Sequence, residues 1–136
     1  MKRVIFYFDD DPSQLQLFSE MFDGKGYDVH TAATLDEARD QLAACSPDII
    51  ISDQKMPEIA GADFLREAAQ MCPNSFRIML TGTATVGEMV LEVSTGVIHL
   101  FLSKPWTESE MLAAFERAML DKAVSPRPKA KGNRKR

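Results

Sequence analysis

The sequence of 136 residues has little cysteine, no long apolar run and no acidic residue near its C-terminal end. Its two cysteines, Cys45 and Cys72, lack metal-ligand spacing, so we expect two small, buried or half-buried hydrophobic residues in a reducing compartment. No apolar run approaches the roughly 20 residues that span a membrane, and the N-terminal MKRVIF lacks the features of a signal peptide. The sequence therefore predicts a cytoplasmic protein without membrane contact.

Acidic residues are missing from Ser125 onward, where the tail SPRPKAKGNRKR carries six of the 16 basic residues. The remaining chain holds 20 acidic residues against the other ten basic ones, and so acidic a body excludes direct nucleic-acid binding by that body. The tail is predicted to be disordered because it has no apolar anchor. A solvated end or linker stub is one interpretation of the tail, and a weak electrostatic contact with nucleic acid, a membrane or an acidic partner is the alternative.

Short apolar runs alternate with longer segments of helical periodicity. The runs predict five strands, and the segments after them predict five helices, the first opening at Pro12 and the fourth covering 84–94. This alternation predicts an α/β fold with a doubly wound, five-stranded parallel sheet and helices on both faces. We expect one domain over 1–122, followed by the basic segment 123–136. The predicted strands cover 4–8, 27–32, 48–52, 76–80 and 97–102.

Polar side chains follow four of the five predicted strands. They are Asp9, Asp10 and Asp11 after the first strand, Asp53 after the third, Thr81 after the fourth and Lys104 after the fifth. In a doubly wound sheet these positions meet at the edge where ligands bind. Clustered carboxylates suit a hard divalent cation such as Mg²⁺, and a hydroxyl with an ammonium suits a phosphoryl group. Asp11 is interpreted instead as the start of the first helix, near the positive end of its dipole.

Four motifs carry these residues: DD after the first strand, D-x-x-M-P after the third, T-G after the fourth and K-P after the fifth. In this order and at this spacing, 1–122 resembles the receiver domain of two-component response regulators, which has a flavodoxin-like fold. The resemblance implies that Asp53 accepts a phosphoryl group that Thr81 and Lys104 then bind. It also implies a site for Mg²⁺ or Mn²⁺ formed by Asp9, Asp10, Asp53 and the backbone carbonyl of Lys55.

The resemblance further implies a bacterial phosphorelay and a conformational switch. Phosphorylation by a sensor histidine kinase or phosphotransfer protein would draw Thr81 inward, and the side chain of Phe101 would follow. The responding surface would be the fourth helix, fifth strand and fifth helix, with His99 nearby as a partly exposed strand residue. A downstream partner or a fused output domain would read that surface, and a homodimer through it is left open.

Two features limit what the resemblance implies. Lys55 stands where a hydrolytic water would pass, so we expect it to alter the lifetime of the phosphoryl group in a direction left open. The KPW sequence ending at Trp106 resembles receivers often joined to cyclic-dinucleotide phosphodiesterase or other output domains. Met1 is interpreted as a natural start, but a stand-alone receiver and a piece of a longer chain both fit the basic tail.

The function we expect is a phosphorylated switch, not a turnover enzyme. Two other functions are alternatives to it. A Mg²⁺-dependent phosphatase with an aspartate nucleophile usually carries D-x-D-x-T, whereas this chain has DDDPS and no segment for a cap domain. A receiver-like interaction module that takes no phosphate is opposed by the complete set of acids, Thr81 and Lys104.

Overall fold

The computed structural model describes residues 2–82 and 86–124 as an α/β protein. Five parallel strands form one sheet in the order β2-β1-β3-β4-β5. The chain divides into two compact units between Trp106 and Thr107. The strands are β1 Arg3–Phe8, β2 Tyr27–Ala32, β3 Ile49–Asp53, β4 Phe76–Thr81 and β5 Leu100–Ser103; the helices are α1 Pro12–Phe22, α2 Leu35–Cys45, α3 Gly61–Met71, α4 Val86–Ser94 and α5 Glu108–Val124.

Helices cover both faces of the sheet, as the alternating pattern predicts. Tyr7 points toward α1, where its ring centroid lies 4.8 Å from that of Phe18. Its neighbours Phe6 and Phe8 point the opposite way, since successive strand residues alternate between faces. They share a buried cluster with residues of α2 and α3, and the ring centroid of Phe8 lies 4.7 Å from that of Phe64. The doubly wound fold is thereby confirmed.

Strand register aligns the carboxyl ends of four strands. Phe8 of β1 pairs with Ser52 of β3, while Asp53 pairs with Leu80 of β4. Thr81, the last residue of β4, pairs with Ser103 of β5. Residues that follow these strands therefore emerge side by side at one edge of the sheet.

Threonine side chains cap the starts of two helices. Thr34 caps α2, and its hydroxyl oxygen accepts a hydrogen bond from the Glu37 amide at 3.2 Å. The T-x-x-E sequence from Thr107 to Glu110 is typical of a capping box, and the box forms: the Glu110 side chain accepts from the Thr107 amide at 2.8 Å, and the Thr107 hydroxyl accepts from the Glu110 amide at 3.2 Å. Each bond satisfies an amide that a helix start would leave unpaired.

Three sequence predictions need adjustment. β5 begins at Leu100 rather than 97, so His99 precedes the strand; the Val97 carbonyl instead accepts a bond from the Arg77 side chain at 2.7 Å. The large apolar residues of the last helix predict an inner face of Met111, Leu112, Phe115 and Met119, whereas the buried face of α5 is Met111, Ala114, Phe115 and Ala118. The small alanines take positions that a search for large apolar residues overlooks. The first two residues predicted for α4, and the tail from 125, lie outside the described residues.

Several smaller expectations are also answered. Cys45 and Cys72 are free thiols of intermediate burial, and burial raises the pKa of Cys45 to about 11. Phe101 lies in β5, half-buried against the apolar cluster. Within the described part of the chain, no helix combines the length and apolar character needed to span a bilayer.

Candidate functional site

Three carboxylates meet at the edge formed by the carboxyl ends of β1 and β3. One oxygen from each of Asp9, Asp10 and Asp53 lies within 4.8 Å of the other two. Asp9 and Asp53 are buried, with 2% and 9% of their surface exposed, whereas Asp10 is exposed. Like charges so close together repel unless a cation neutralises them. An all-oxygen donor set of this kind fits a hard divalent ion such as Mg²⁺.

Asp9 is held by hydrogen bonds at both carboxylate oxygens. The Tyr7 hydroxyl donates to Oδ2 at 2.6 Å, and the Asp11 amide donates to Oδ1 at 3.0 Å. Burial raises the pKa of Asp9, while these two bonds act in the opposite direction. Burial raises the pKa of Tyr7, and its hydrogen bond to Asp9 raises that pKa further. The phenol therefore stays protonated and donates to Asp9.

Lys104 brings a positive charge to the cluster from the end of β5. Its Nζ lies 2.5 Å from Asp53 Oδ1 and 4.0 Å from Asp9 Oδ2. The Lys104 amide donates to the Thr81 carbonyl at 2.9 Å, and the Lys104–Pro105 peptide is cis. One ammonium against three carboxylates leaves net negative charge, so the site retains its attraction for a further cation.

Thr81 ends β4 beside the cluster, and its hydroxyl donates to the side-chain oxygen of Gln54. Gln54 is positioned by its own amide, which donates to the Leu80 carbonyl at 3.0 Å. Sequence reasoning missed this partner of Thr81, although Gln54 directly follows Asp53. The sequence signal that could have indicated a role for Gln54 is its polar side chain directly after Asp53, the candidate phosphoryl acceptor.

The loop after Asp53 is closed by a glycine in tight backbone contact. The Gly61 amide donates to the Gln54 carbonyl at 2.8 Å. A Cβ at Gly61 would lie 2.2 Å from the Asp53 carbonyl oxygen, a distance that excludes any other residue without movement of the backbone. Lys55, which is exposed, pairs with Ala60 across the same loop. The loop is therefore anchored to the strand that carries Asp53.

An open cleft of about 660 Å³ lies over the cluster. One wall is apolar, and its Trp106 ring centroid is 6.1 Å from that of Phe18. Gln14, Leu17 and Met21 were not predicted as site residues; their helical spacing on α1, next to the DDD run, was the available signal. The lining residues are Asp9, Asp10, Asp11, Gln14, Leu17, Met21, Asp53, Lys104, Pro105 and Trp106.

Asp11 reaches this cleft but serves as the helix cap that the sequence predicts. Its Oδ1 accepts bonds from the Ser13 amide at 3.0 Å and from the Ser13 hydroxyl at 2.7 Å. These bonds lower the pKa of Asp11. The carboxylate therefore starts α1 and does not belong to the cluster of three.

A doubly wound α/β sheet with an acid cluster, a hydroxyl and an ammonium at one edge defines a class of α/β domain whose polar groups meet beyond the carboxyl ends of the strands. The family model described as "Response regulator receiver domain" matches residues 5–116. The chain belongs to this family, whose members are signalling modules of two-component systems.

Individual relatives agree with this assignment. The C4-dicarboxylate transport transcriptional regulatory protein DctD of Pseudomonas aeruginosa is 31% identical, over 85% of this chain and 25% of that protein. A receiver domain structure from Clostridium thermocellum is 30% identical, with a TM-score of 0.79 over 90% of this chain and 98% of that one. The signal receiver domain of an HD domain-containing protein from Pseudomonas fluorescens is 27% identical, with a TM-score of 0.82 over 92% and 100%. The chain spans about a quarter to a half of the length of the curated relatives it matches.

Proposed function

We propose that this chain is a signalling switch that Asp53 activates by accepting a phosphoryl group from a histidine kinase or phosphotransfer protein. The observation that carries the proposal is the position of Asp53. Its carboxylate is buried at a strand end, 2.5 Å from Lys104 and next to two further carboxylates. A nucleophilic carboxylate needs nearby cations that offset the charge of the incoming phosphoryl group.

Asp9, Asp10 and Asp53 would hold the Mg²⁺ or Mn²⁺, together with the backbone carbonyl of Lys55. When bound, the metal supplies positive charge that offsets the phosphoryl oxygens. Asp53 attacks phosphorus through a carboxylate oxygen, and the bond from phosphorus to the donor nitrogen breaks. Lys104 then pairs with a phosphoryl oxygen, and its place beside Asp53 requires only a short movement.

Thr81 and Phe101 would transmit the change. The Thr81 hydroxyl leaves Gln54 to donate to a phosphoryl oxygen, and Phe101 follows into the space that is vacated. The affected surface would include α4, β5 and α5, which a downstream partner or an output domain reads and through which two copies would pair. Hydrolysis of the acyl phosphate resets the switch, so the chain acts in the cytoplasm as a reversible module rather than a turnover enzyme.

The names of two relatives support the proposal that an output domain or a partner reads this receiver. DctD and the hydrogenase regulator HoxA of Cupriavidus necator are transcriptional regulatory proteins of which this chain covers about a quarter. We propose that residues 1–122 act as the receiver unit and that 123–136 form a basic linker or tail.

The test is intact mass after incubation with acetyl phosphate and Mg²⁺. Wild type should gain one phosphoryl group, and EDTA should prevent the gain. Asp53→Asn should gain nothing because the amide is a poor nucleophile, whereas Asp36→Asn, an exposed aspartate of α2, should behave as wild type.

Two results would contradict the proposal. Absence of a gain in wild type, repeated with a phosphorylated kinase as the donor, would favour a receiver-like interaction module that takes no phosphate. A gain that persists in Asp53→Asn would assign the acceptor to a different residue.

A further inference from the structure

Tyr7 places a buried hydroxyl group near the carboxyl end of β1. The residue has no exposed surface, and its ring packs against Phe18 with a centroid distance of 4.8 Å. Phenylalanine would fill the same space and make the same ring contact. Since burying an unpaired hydroxyl costs free energy, the Tyr7 oxygen must have a partner, and that partner is Asp9 Oδ2 at 2.6 Å.

The bond completes a two-point attachment of the Asp9 carboxylate. Tyr7 donates to one oxygen, and the Asp11 amide donates to the other at 3.0 Å. A single bond would leave the carboxylate free to rotate about its Cβ–Cγ bond, whereas two donors on opposite oxygens fix its plane. Each carboxylate oxygen can accept more than one bond, so both still have room for another ligand.

Lys104 makes this attachment relevant to the cation site. Its Nζ contacts Asp53 at 2.5 Å but stands 4.0 Å from the Asp9 oxygen that Tyr7 occupies. Without the Tyr7 donor, Oδ2 would have one more acceptor direction to offer the ammonium. Lys104 would then be drawn toward Asp9 and would compete there with a divalent cation.

We propose that Tyr7 is a positioning residue of the cation site. Its hydroxyl orients the Asp9 carboxylate toward a divalent ion shared with Asp10 and Asp53, and it keeps Lys104 on Asp53. The inference rests on the metal site in the proposed function, but it concerns affinity for the ion and can be measured without phosphorylation. Partners that orient a metal ligand typically change the affinity by about 10–100-fold when they are removed.

The experiment compares Tyr7→Phe with Tyr27→Phe, which removes the other tyrosine hydroxyl at the opposite end of the sheet. Mn²⁺ binding is counted from the EPR signal of the free ion, and Mg²⁺ binding is obtained by competition. Tyr7→Phe should raise both dissociation constants about tenfold, whereas Tyr27→Phe should leave them within about twofold of wild type.

Thermal unfolding in EDTA separates positioning from a purely structural role. Tyr7→Phe keeps the packing against Phe18 but takes one donor from a buried carboxylate, so its melting temperature should fall only slightly. A lower melting temperature with unchanged dissociation constants would mean that the hydroxyl serves folding alone and would overturn the proposal. Tyr7→Met, which also lacks a donor, repeats the comparison if phenylalanine is poorly accommodated.

The outcomes for this inference and for the proposed function are distinguishable. Unchanged metal affinity in Tyr7→Phe overturns this inference alone. Normal metal binding by wild type, without phosphorylation from either donor, overturns the proposed function and leaves Tyr7 as a positioning residue. Failure of wild type to bind either ion overturns both the metal site and the role of Tyr7.

Discussion

Charge is buried at two places in the sheet, around Asp9 after β1 and around Arg77 in β4, and the two surroundings differ in kind. Arg77 is 5% exposed and Asp9 is 2% exposed. Every described hydrogen-bond partner of the Arg77 guanidinium is neutral, whereas Asp9 lies among other carboxylates with one lysine nearby. Burial therefore has a different consequence at each place.

Nearby acceptors form hydrogen bonds with all three nitrogens of the Arg77 guanidinium. The guanidinium donates to oxygens in the turn before β4 and in the segment after α4. It thereby links these two segments. These are the carbonyls of Val97 at 2.7 Å, Ser75 at 3.1 Å, Cys72 at 3.2 Å and Gly96 at 3.3 Å, and the Ser75 hydroxyl at 3.0 Å. Burial lowers the pKa of Arg77, yet its donors are paired, and the residue has a structural role.

The Asp9 surroundings remain unbalanced by comparison. Three carboxylates face one ammonium, and the cleft above them is open to solvent. The difference teaches that burial of a charged group is a poor guide to function by itself. What distinguishes a binding site is charge that the protein's own groups leave uncompensated.

The largest effect is expected when Arg77 is replaced by methionine. The substitution removes the guanidinium from four carbonyl oxygens, of which only that of Cys72 keeps a described hydrogen-bond partner, Ser75, so the free energy of unfolding should fall by about 3 kcal/mol or more. Urea unfolding in EDTA measures the loss. Arg66→Met, at an exposed arginine of α3, should change it by less than about 0.5 kcal/mol. Similar losses for the two variants would show that the guanidinium network contributes little.

Asp9→Asn should increase the free energy of unfolding in the absence of metal, by less than the loss expected for the Arg77 variant. Because burial raises the pKa of folded Asp9 above its unfolded value, the associated stability is fully present below about pH 3.9. It is lost as the pH rises through the folded pKa. The variant cannot lose that proton, so it should become more stable than wild type as the pH increases toward neutral.

Urea unfolding in EDTA at about pH 4 and about pH 7 tests this dependence. The advantage of Asp9→Asn should be larger at the higher pH, and Mg²⁺ should stabilise wild type more than the variant. A difference that stays constant or shrinks as the pH rises would mean that Asp9 carries no penalty for its charge.

The smallest effect concerns Gln54, which in the proposed switch would compete with a phosphoryl group for the Thr81 hydroxyl. A hydrogen bond of this type contributes about 0.5–1.5 kcal/mol, so Gln54→Ala should speed phosphorylation by acetyl phosphate about twofold to tenfold. The Thr81→Ala background supplies the control, because Gln54→Ala should then have no effect on the rate. An equal acceleration in both backgrounds would exclude competition for the hydroxyl.

Much of the fold and the site could be predicted because the signals are local. Apolar runs gave the five strands to within a few residues. Asp53 and Thr81 end their strands and Lys104 follows its strand, and these strand ends must meet in a parallel sheet. The bonds of Gln54 and Arg77 could not be predicted in this way. They depend on strand register and on loops that return to the sheet, so neighbours in space are far apart in sequence. The prediction that Tyr7 lies in a strand is confirmed. Its hydrogen bond to Asp9, two residues away, could not be predicted because it depends on the direction in which the Tyr7 side chain points.

Trp106 gives the cleft an optical property of its own. It is the sole tryptophan in the sequence, lines the cleft beside the carboxylates and stacks on Phe22 at an interplanar angle of 29°. Indole emission responds to the polarity and charge of its surroundings, and all of the tryptophan emission of this chain comes from one wall of the site. The protein therefore carries an intrinsic fluorophore at the place where its ligands would bind, and events there can be followed in real time without a label.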